Sequence, residues 1–161
     1  MATGDMFLKL EGIEGESNDD KKKNQIEIES FSFGGANNGS FNTATGGGTS
    51  KVSMQDVHFT KHIDKSSPNL FGVLTQGKHI DKATITVRKA GGDPKDYLMI
   101  TLTPCLVSSY NLSGHDGGGM PQESFSLNYD KIDFEYKTQD DKGNLGAAIK
   151  KSYETSKNKA S

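Results

Sequence analysis

Five polar residues of one strand parity are the first candidates for chemistry: Asp56, His58, Thr60, His62 and Asp64. Two imidazoles and two carboxylates at alternate positions are residue types that hold a divalent metal. Distance argues against it. His58 and His62 lie ~13 Å apart along a strand, at ~3.3 Å per residue. One zinc takes its ligands at ~2.1 Å, so it cannot use both from one straight strand. A helix would bring them together, but Val57, Phe59 and Ile63 follow the strand period. The row therefore reads as a polar face toward solvent or a pore.

Three other groupings fail on geometry. The run Gly46-Gly47-Gly48-Thr49-Ser50-Lys51 looks like a phosphate loop, but that motif needs Gly-Lys-Ser/Thr leading from a strand into a helix. Here the order is Ser-Lys, and a loop leads into a strand. Ser113-Gly114-His115-Asp116 sets three triad residue types side by side. Adjacent residues in a glycine-rich turn cannot hold nucleophile, base and orienter in line. Cys105 sits among Pro104, Leu106 and Val107 with no base nearby, as an inert buried thiol would. The residues point away from catalysis, and no motif calls for a cofactor or metal.

The elements that place these residues are mostly strands. Asp5–Leu10 alternates weakly, with Met6, Leu8 and Leu10 set against Phe7 and Lys9. Asn24–Gly34 carries Ile26 and Ile28 on one face, then Phe31 and Phe33 on the other. Lys51–Ile63 does the same with Val52 and Met54, then Val57, Phe59 and Ile63. Glu123–Lys137 repeats it with Phe125, Leu127 and Tyr129, then Ile132, Phe134 and Tyr136. A side-chain period of two makes such a slip costly unless a bulge or a change of sheet absorbs it. Bent strands serving two packed sheets, or closing a small barrel, account for all three flips.

Between them Lys78–Lys89 and Asp96–Tyr110 form a pair joined by a turn at Ala90-Gly91-Gly92-Asp93-Pro94. Tyr97–Leu102 is apolar on both faces and should lie inside the structure or in a subunit contact. Pro104 marks an edge or a bend. One helix is expected, with Ser67 as N-cap, Pro68 at the first helical position and Gly77 as the stop. Leu70, Val73 and Leu74 give it one apolar stripe, so it packs sideways on a sheet. Residues 37–50 read as a long exposed loop, with Phe41 its one large apolar residue. The polar tail, 138–161, has a possible short edge strand. There is no internal repeat.

Bulk composition fits one domain in 161 residues. The apolar fraction is 32% and, with 19 glycines added, only reaches the lower edge of the usual ~45–50%. The core should be thin, and loops or subunit contacts should take up much of the chain. Net charge is −2, and Asp19-Asp20 precede Lys21-Lys22-Lys23, so that run reads as a solvated turn and not a nucleic-acid patch. A single cysteine forms no internal disulfide. The first residues lack a basic start and an apolar run, so no signal peptide is expected. No window approaches the ~20 apolar residues of a membrane span.

Several segments together carry a resemblance. Asp5-Met-Phe-Leu-Lys-Leu and Gly15-Glu16-Ser17 come first, then Phe31-Ser32-Phe33-Gly34 and Gln55-Asp56 with Phe59-Thr60-Lys61. Ile63-Asp64-Lys65-Ser66-Ser67-Pro68-Asn69-Leu70 and Gly77-Lys78-His79 follow. Val87-Arg88-Lys89-Ala90-Gly91-Gly92 and Leu106-Val107-Ser108-Ser109 complete the series. In this order and spacing, from about Asp5 to Tyr136, the chain resembles the haemolysin-coregulated protein (Hcp) family, the tube subunit of bacterial type VI secretion. The resemblance implies a mainly β fold: a compact two-sheet β-barrel with one short flanking helix. It implies a homo-hexameric ring with a wide pore, stacking on itself into a tube. A contractile sheath would expel that tube with its spike protein. Effector proteins would ride in the pore, with no nucleic acid and no membrane insertion. Export without a cleaved signal, from a cytoplasmic pool, follows. By the same resemblance Ser32 faces the pore and binds effectors. The loop with Asn38, Phe41, Gly46, Gly47 and Gly48 reaches the neighbouring ring. The aromatics beside Ser32 are Phe where Trp is common in the family. An alternative role is a carrier that chaperones secreted effectors in its pore. An enzyme with a toxin domain after the barrel is disfavoured, because the tail is short for a separate fold.

Overall fold

Strand alternation opens the chain at β1, Met6–Leu10. The computed structural model describes residues 5–37, 39, 52–89 and 94–161. Four short strands follow: β2 Ile26–Glu27, β3 Ser30–Ser32, β4 Gly35–Asn37 and β5 Val52–Met54. Then come β6 Val57–His62, α1 Ser66–Gln76, β7 His79–Ile80 and β8 Ala83–Arg88. Two 18-residue strands, β9 Asp96–Ser113 and β10 Gln122–Gln139, form the spine. β11 Leu145–Glu154 and β12 Lys159–Ala160 end the chain. The turn expected at Ala90-Gly91-Gly92-Asp93 lies outside the described residues, as do Asn38, Phe41, Gly46, Gly47 and Gly48 of the long loop.

Each expected change of face coincides with a change of neighbour. Ile26 and Glu27 pair with β1, whereas Ser30–Ser32 pair with β6. The chain crosses between them through the Ile28 amide, which donates to the Met6 carbonyl at 3.2 Å. The Glu29 amide then donates to Thr60 at 2.8 Å. Likewise Val52–Met54 pair with β4, and Val57–His62 pair with β3 and β10. The expected single strands are therefore each two short ones, broken where the side-chain period slips.

The long strands solve the same problem without breaking. In β9 the buried set shifts from Ile100 and Leu102 to Cys105 and Val107. In β10 it shifts from Tyr129 to Ile132, and these are the residues opposite Cys105 and Leu102. Both strands therefore turn over along one line. On that line β9 exchanges β8 for β7, and β10 exchanges β11 for β6. Pro104 sits in the gap between the two partners of β9, where its missing N–H costs no ladder bond. It marks the bend and does not interrupt the strand. The register of this pair shifts once, between Ser126 and Leu127, which leaves Ser108 as an extra residue on β9.

The hydrogen-bonded order is β12-β11-β10-β9-β8-β1-β2, with β3 and β6 branching from β10 and β7 from β9. As a ladder it stays open between β2 and β3. The core between the layers includes Leu8, Ile26, Val57, Leu70, Ile85 and Leu127, all fully buried. Phe59 and Phe125, opposite one another across β6 and β10, stack at 4.9 Å between ring centroids.

Four expectations need correction. Phe7 points away from the main core, yet it is buried: Arg88 lies 4.8 Å over its ring, and Asp19 of the 12–24 segment holds Arg88. That segment is not wholly solvated. Lys22 donates to Asp96 at 2.7 Å, and Arg88 grips Asp19 through both of its terminal nitrogens. Gly15 lets the segment fold back against Gln25 and Ile26, because a Cβ there would sit 2.5 Å from the Gln25 carbonyl oxygen. The strand expected over Lys78–Lys89 is two, β7 and β8, parted at Asp81 and Lys82. Ser67 is not the N-cap of α1. The helix starts at Ser66, and Asp64 Oδ1 takes the Ser66 amide at 2.8 Å. Gly77 ends it at φ 61°, in the left-handed conformation that glycine adopts without strain.

Candidate functional site

Polar rows cross the outer face of β3, β6, β10 and β9. Ser32 stands opposite His58, His58 opposite Ser126, and Ser126 opposite Ser109. The next row is Ser30, Thr60, Ser124 and Asn111. Strand alternation puts these small polar residues outward, while Val57, Phe59, Phe125 and Leu127 go inward. Ser32 and His58 are exposed. Ser30 and Thr60 share a hydroxyl hydrogen bond of 2.5 Å, and Ser126 bonds Ser108 and Ser109 at 2.7 and 2.5 Å.

The residues first read as metal candidates part company here. Asp56 accepts from Ser108 at 2.7 Å and Asn128 at 2.8 Å. His62 pairs through Nδ1 with Glu29, which also accepts from Gln122 at 2.8 Å. Asp64 leaves the row and turns inward to Lys61 at 2.8 Å. Ser113, His115 and Asp116 lie exposed in the β9–β10 hairpin, where the Ser113 hydroxyl donates to the Gln122 carbonyl at 3.4 Å. Cys105 is buried, and loss of solvent pushes its thiol up to about 12. It therefore stays protonated and unreactive.

Sequence reasoning missed a buried polar knot behind this face. Lys61 and Glu123 are opposite one another in the β6–β10 ladder, and both side chains are 0% exposed. Lys61 Nζ also donates to the His62 carbonyl at 3.2 Å and to Ser67 Oγ at 3.4 Å. Ser67 Oγ donates to Glu123 Oε1 at 2.8 Å, and Tyr110 donates to Glu123 Oε2. Burial first, then the Glu123 hydrogen bond, raises the Tyr110 phenol to about 12. The knot ties the start of α1 to β6, β9 and β10. A signal existed: Lys61 continues the inward parity of Val57 and Phe59, and Glu123 that of Phe125 and Leu127.

A third feature is an apolar strip on β10 and β11. Phe134, Tyr136 and Ile149 are 43%, 42% and 59% exposed. They continue the core face beyond the point where the protomer covers it, since Phe134 is opposite Ile100 and Tyr136 opposite both Leu98 and Ile149. Phe134 meets the ring of Phe33 edge-on at 5.6 Å. The base of the long loop lies next in the chain, where β4 and β5 pair Gly35 with Met54 and Asn37 with Val52.

Known proteins are similar to this chain in sequence and in fold. The family described as "Type VI secretion system effector, Hcp" matches residues 7–136. Protein hcp1 of Pseudomonas aeruginosa is 38% identical over 136 residues, 84% of each chain. A solved structure of a type six secretion system protein is similar with a TM-score of 0.92 at 31% identity, covering 99% of this chain and 100% of the other. Hcp1 from Salmonella typhimurium gives 0.81 at 37% identity, covering 98% of both. No helix of the described residues is long and apolar enough to cross a membrane. With its mainly β fold, single described helix and match over most of its length, the chain belongs to the Hcp family, a family of secreted type VI secretion proteins and not a known enzyme family.

Proposed function

We propose that this chain is a tube subunit: six copies close a ring around a pore, rings stack, and a contractile sheath expels the stack with its spike. The observation that carries this, beyond family membership, is the exposed strip of Phe134, Tyr136 and Ile149. A ring of more than two copies needs a surface that meets a different surface of the next copy. A core face that runs on past its own cover suits that need. The crossing at Ile28 and Glu29, which links β1 to β6 through two amides, supports reading the two sheets as a barrel. The loop with Asn38, Phe41, Gly46, Gly47 and Gly48 is assigned to ring stacking. The face with Ser32 is assigned to the pore, and the protein to export from the cytoplasm without a cleaved signal. Electron micrographs of purified protein test the reading. Six-fold rings are expected, and a monomer by light scattering at high concentration counts against it.

A second reading is compatible with the first: the pore carries effector proteins and shields them before export. The polar, exposed position of Ser32 favours it. Ser32→Gln should lower the level of co-expressed effector and leave rings intact. Unchanged effector levels remove Ser32 from that role.

A further inference from the structure

Among the described residues, six large apolar side chains stand exposed, in two groups at opposite ends of the β9–β10 spine. One group is the strip of Phe134, Tyr136 and Ile149. The other is Phe71 on α1, Leu112 on β9 and Met120 in the β9–β10 hairpin. Phe71 belongs to this end because its ring meets Tyr110 edge-on at 6.2 Å. Tyr110 and Leu112 stand opposite Phe125 and Glu123, both buried, so they extend the core side of the sheet. Tyr110 is half-buried beside α1, and Leu112, one step further along that side, is exposed. The core face thus runs past its cover at both ends of the spine.

The two groups also belong to different edges of one sheet. The sheet that bears Ser32 runs β3-β6-β10-β9. Among the described residues, β3 pairs with β6 alone, and β9 from Val107 onward pairs with β10 alone, so these are its two edges. Phe33, the residue after β3, touches Phe134, which ties the strip to the β3 edge. Leu112 lies on β9 itself, and Phe71 joins it there through Tyr110. A ring that lines its pore with this sheet brings the β9 edge of one copy to the β3 edge of the next. Two uncovered apolar surfaces then arrive together, and neither has to be self-complementary.

Resting on the tube reading above, we propose that Phe71, Leu112 and Met120 form the surface of a second copy of this chain that covers Phe134, Tyr136 and Ile149 of its neighbour. Leu112→Cys and Ile149→Cys, placed together in the full chain, test it by treatment with a short bismaleimide and a denaturing gel. Cys105 is buried and should not react. Covalent multimers up to the complete ring are expected, whereas each single variant should stay at the monomer band. Dimers from Ile149→Cys alone would set strip against strip and overturn the inference. A double variant that assembles into rings yet does not link overturns it too. As a second measurement, Phe71→Ser with Leu112→Ser should lower the mass seen by light scattering by about half or more, with circular dichroism unchanged. Rings of full mass in that variant overturn the inference and leave the tube reading standing. A wild type that forms no rings removes both.

Discussion

Lys61 and Glu123 face each other across β6 and β10, with both side chains withdrawn from water, Ser67 hydrogen-bonded to both and Tyr110 to Glu123. Two such groups are costly to bury, and the mutual contact plus the surrounding bonds offset that cost. The contribution of the pair is therefore best seen when one half is removed. Lys61→Met should destabilise the protomer by about 3–5 kcal/mol, because Glu123 is left buried without its cation. Adding Glu123→Leu should recover much of the loss. Urea denaturation of the single and double variants decides. A single variant within about 1 kcal/mol of wild type removes the knot from the stability of the fold.

The 12–24 segment should detach in acid. The hydrogen bond from Arg88 holds the Asp19 carboxyl at about 2, below its usual 3.8. A depressed folded value stabilises the docked form above the unfolded value and loses that contribution as pH falls toward the folded one. The effect of Asp19 is thus full above pH ~4 and fades between ~4 and ~2. Asp19→Asn should lose this component of the acid transition. Far-UV circular dichroism from pH 5 to 1.5 follows it, and identical acid midpoints for variant and wild type would remove Asp19 from the transition.

Gly15→Ala should destabilise by about 1–3 kcal/mol. Its new methyl would collide with the Gln25 carbonyl and the Ile26 Cα, and backbone cannot turn aside as a side chain can. Hydrogen exchange should show the Gly15 to Asn24 and Ser17 to Gln25 amide bonds opening first. Protection as in wild type speaks against a tight fit.

Replacing Phe134 and Ile149 together by Ser should disperse rings while changing the melting temperature of the isolated protomer little. Both residues are about half-exposed in the protomer, so little burial is lost there. Light scattering reports the assembly and calorimetry the fold. Rings of full size would place the subunit contact elsewhere.

Cys105 should ignore iodoacetamide at pH 8. A thiol held at about 12 offers on the order of one thiolate in ten thousand at that pH. Labelling should appear only with urea unfolding. Rapid labelling of native protein would mean that the β7–β9 cover opens readily.

Much of the fold was legible in local pattern. The slips of parity at Glu29-Ser30 and Gln55-Asp56 are visible in sequence because apolar residues must stay on the buried side wherever the strand goes. Gly77 was legible for a similar reason, since a left-handed residue after an apolar stripe has few alternatives. Ser67 misled because capping is a preference of residue type. Asp64 reached the Ser66 amide first, and Ser67 was drawn to Glu123, fifty-six positions away.

By itself, then, the sequence determined which residues alternate, where the chain must change face, and the motif series that marks its family. The tertiary structure alone decided what each face meets. It put Lys61 against Glu123, laid Arg88 over Phe7 and left Phe134 and Ile149 uncovered. The physical reason is range. Periodicity and backbone preference act over a few neighbours, whereas burial and ion pairing depend on strands that arrive from distant parts of the chain.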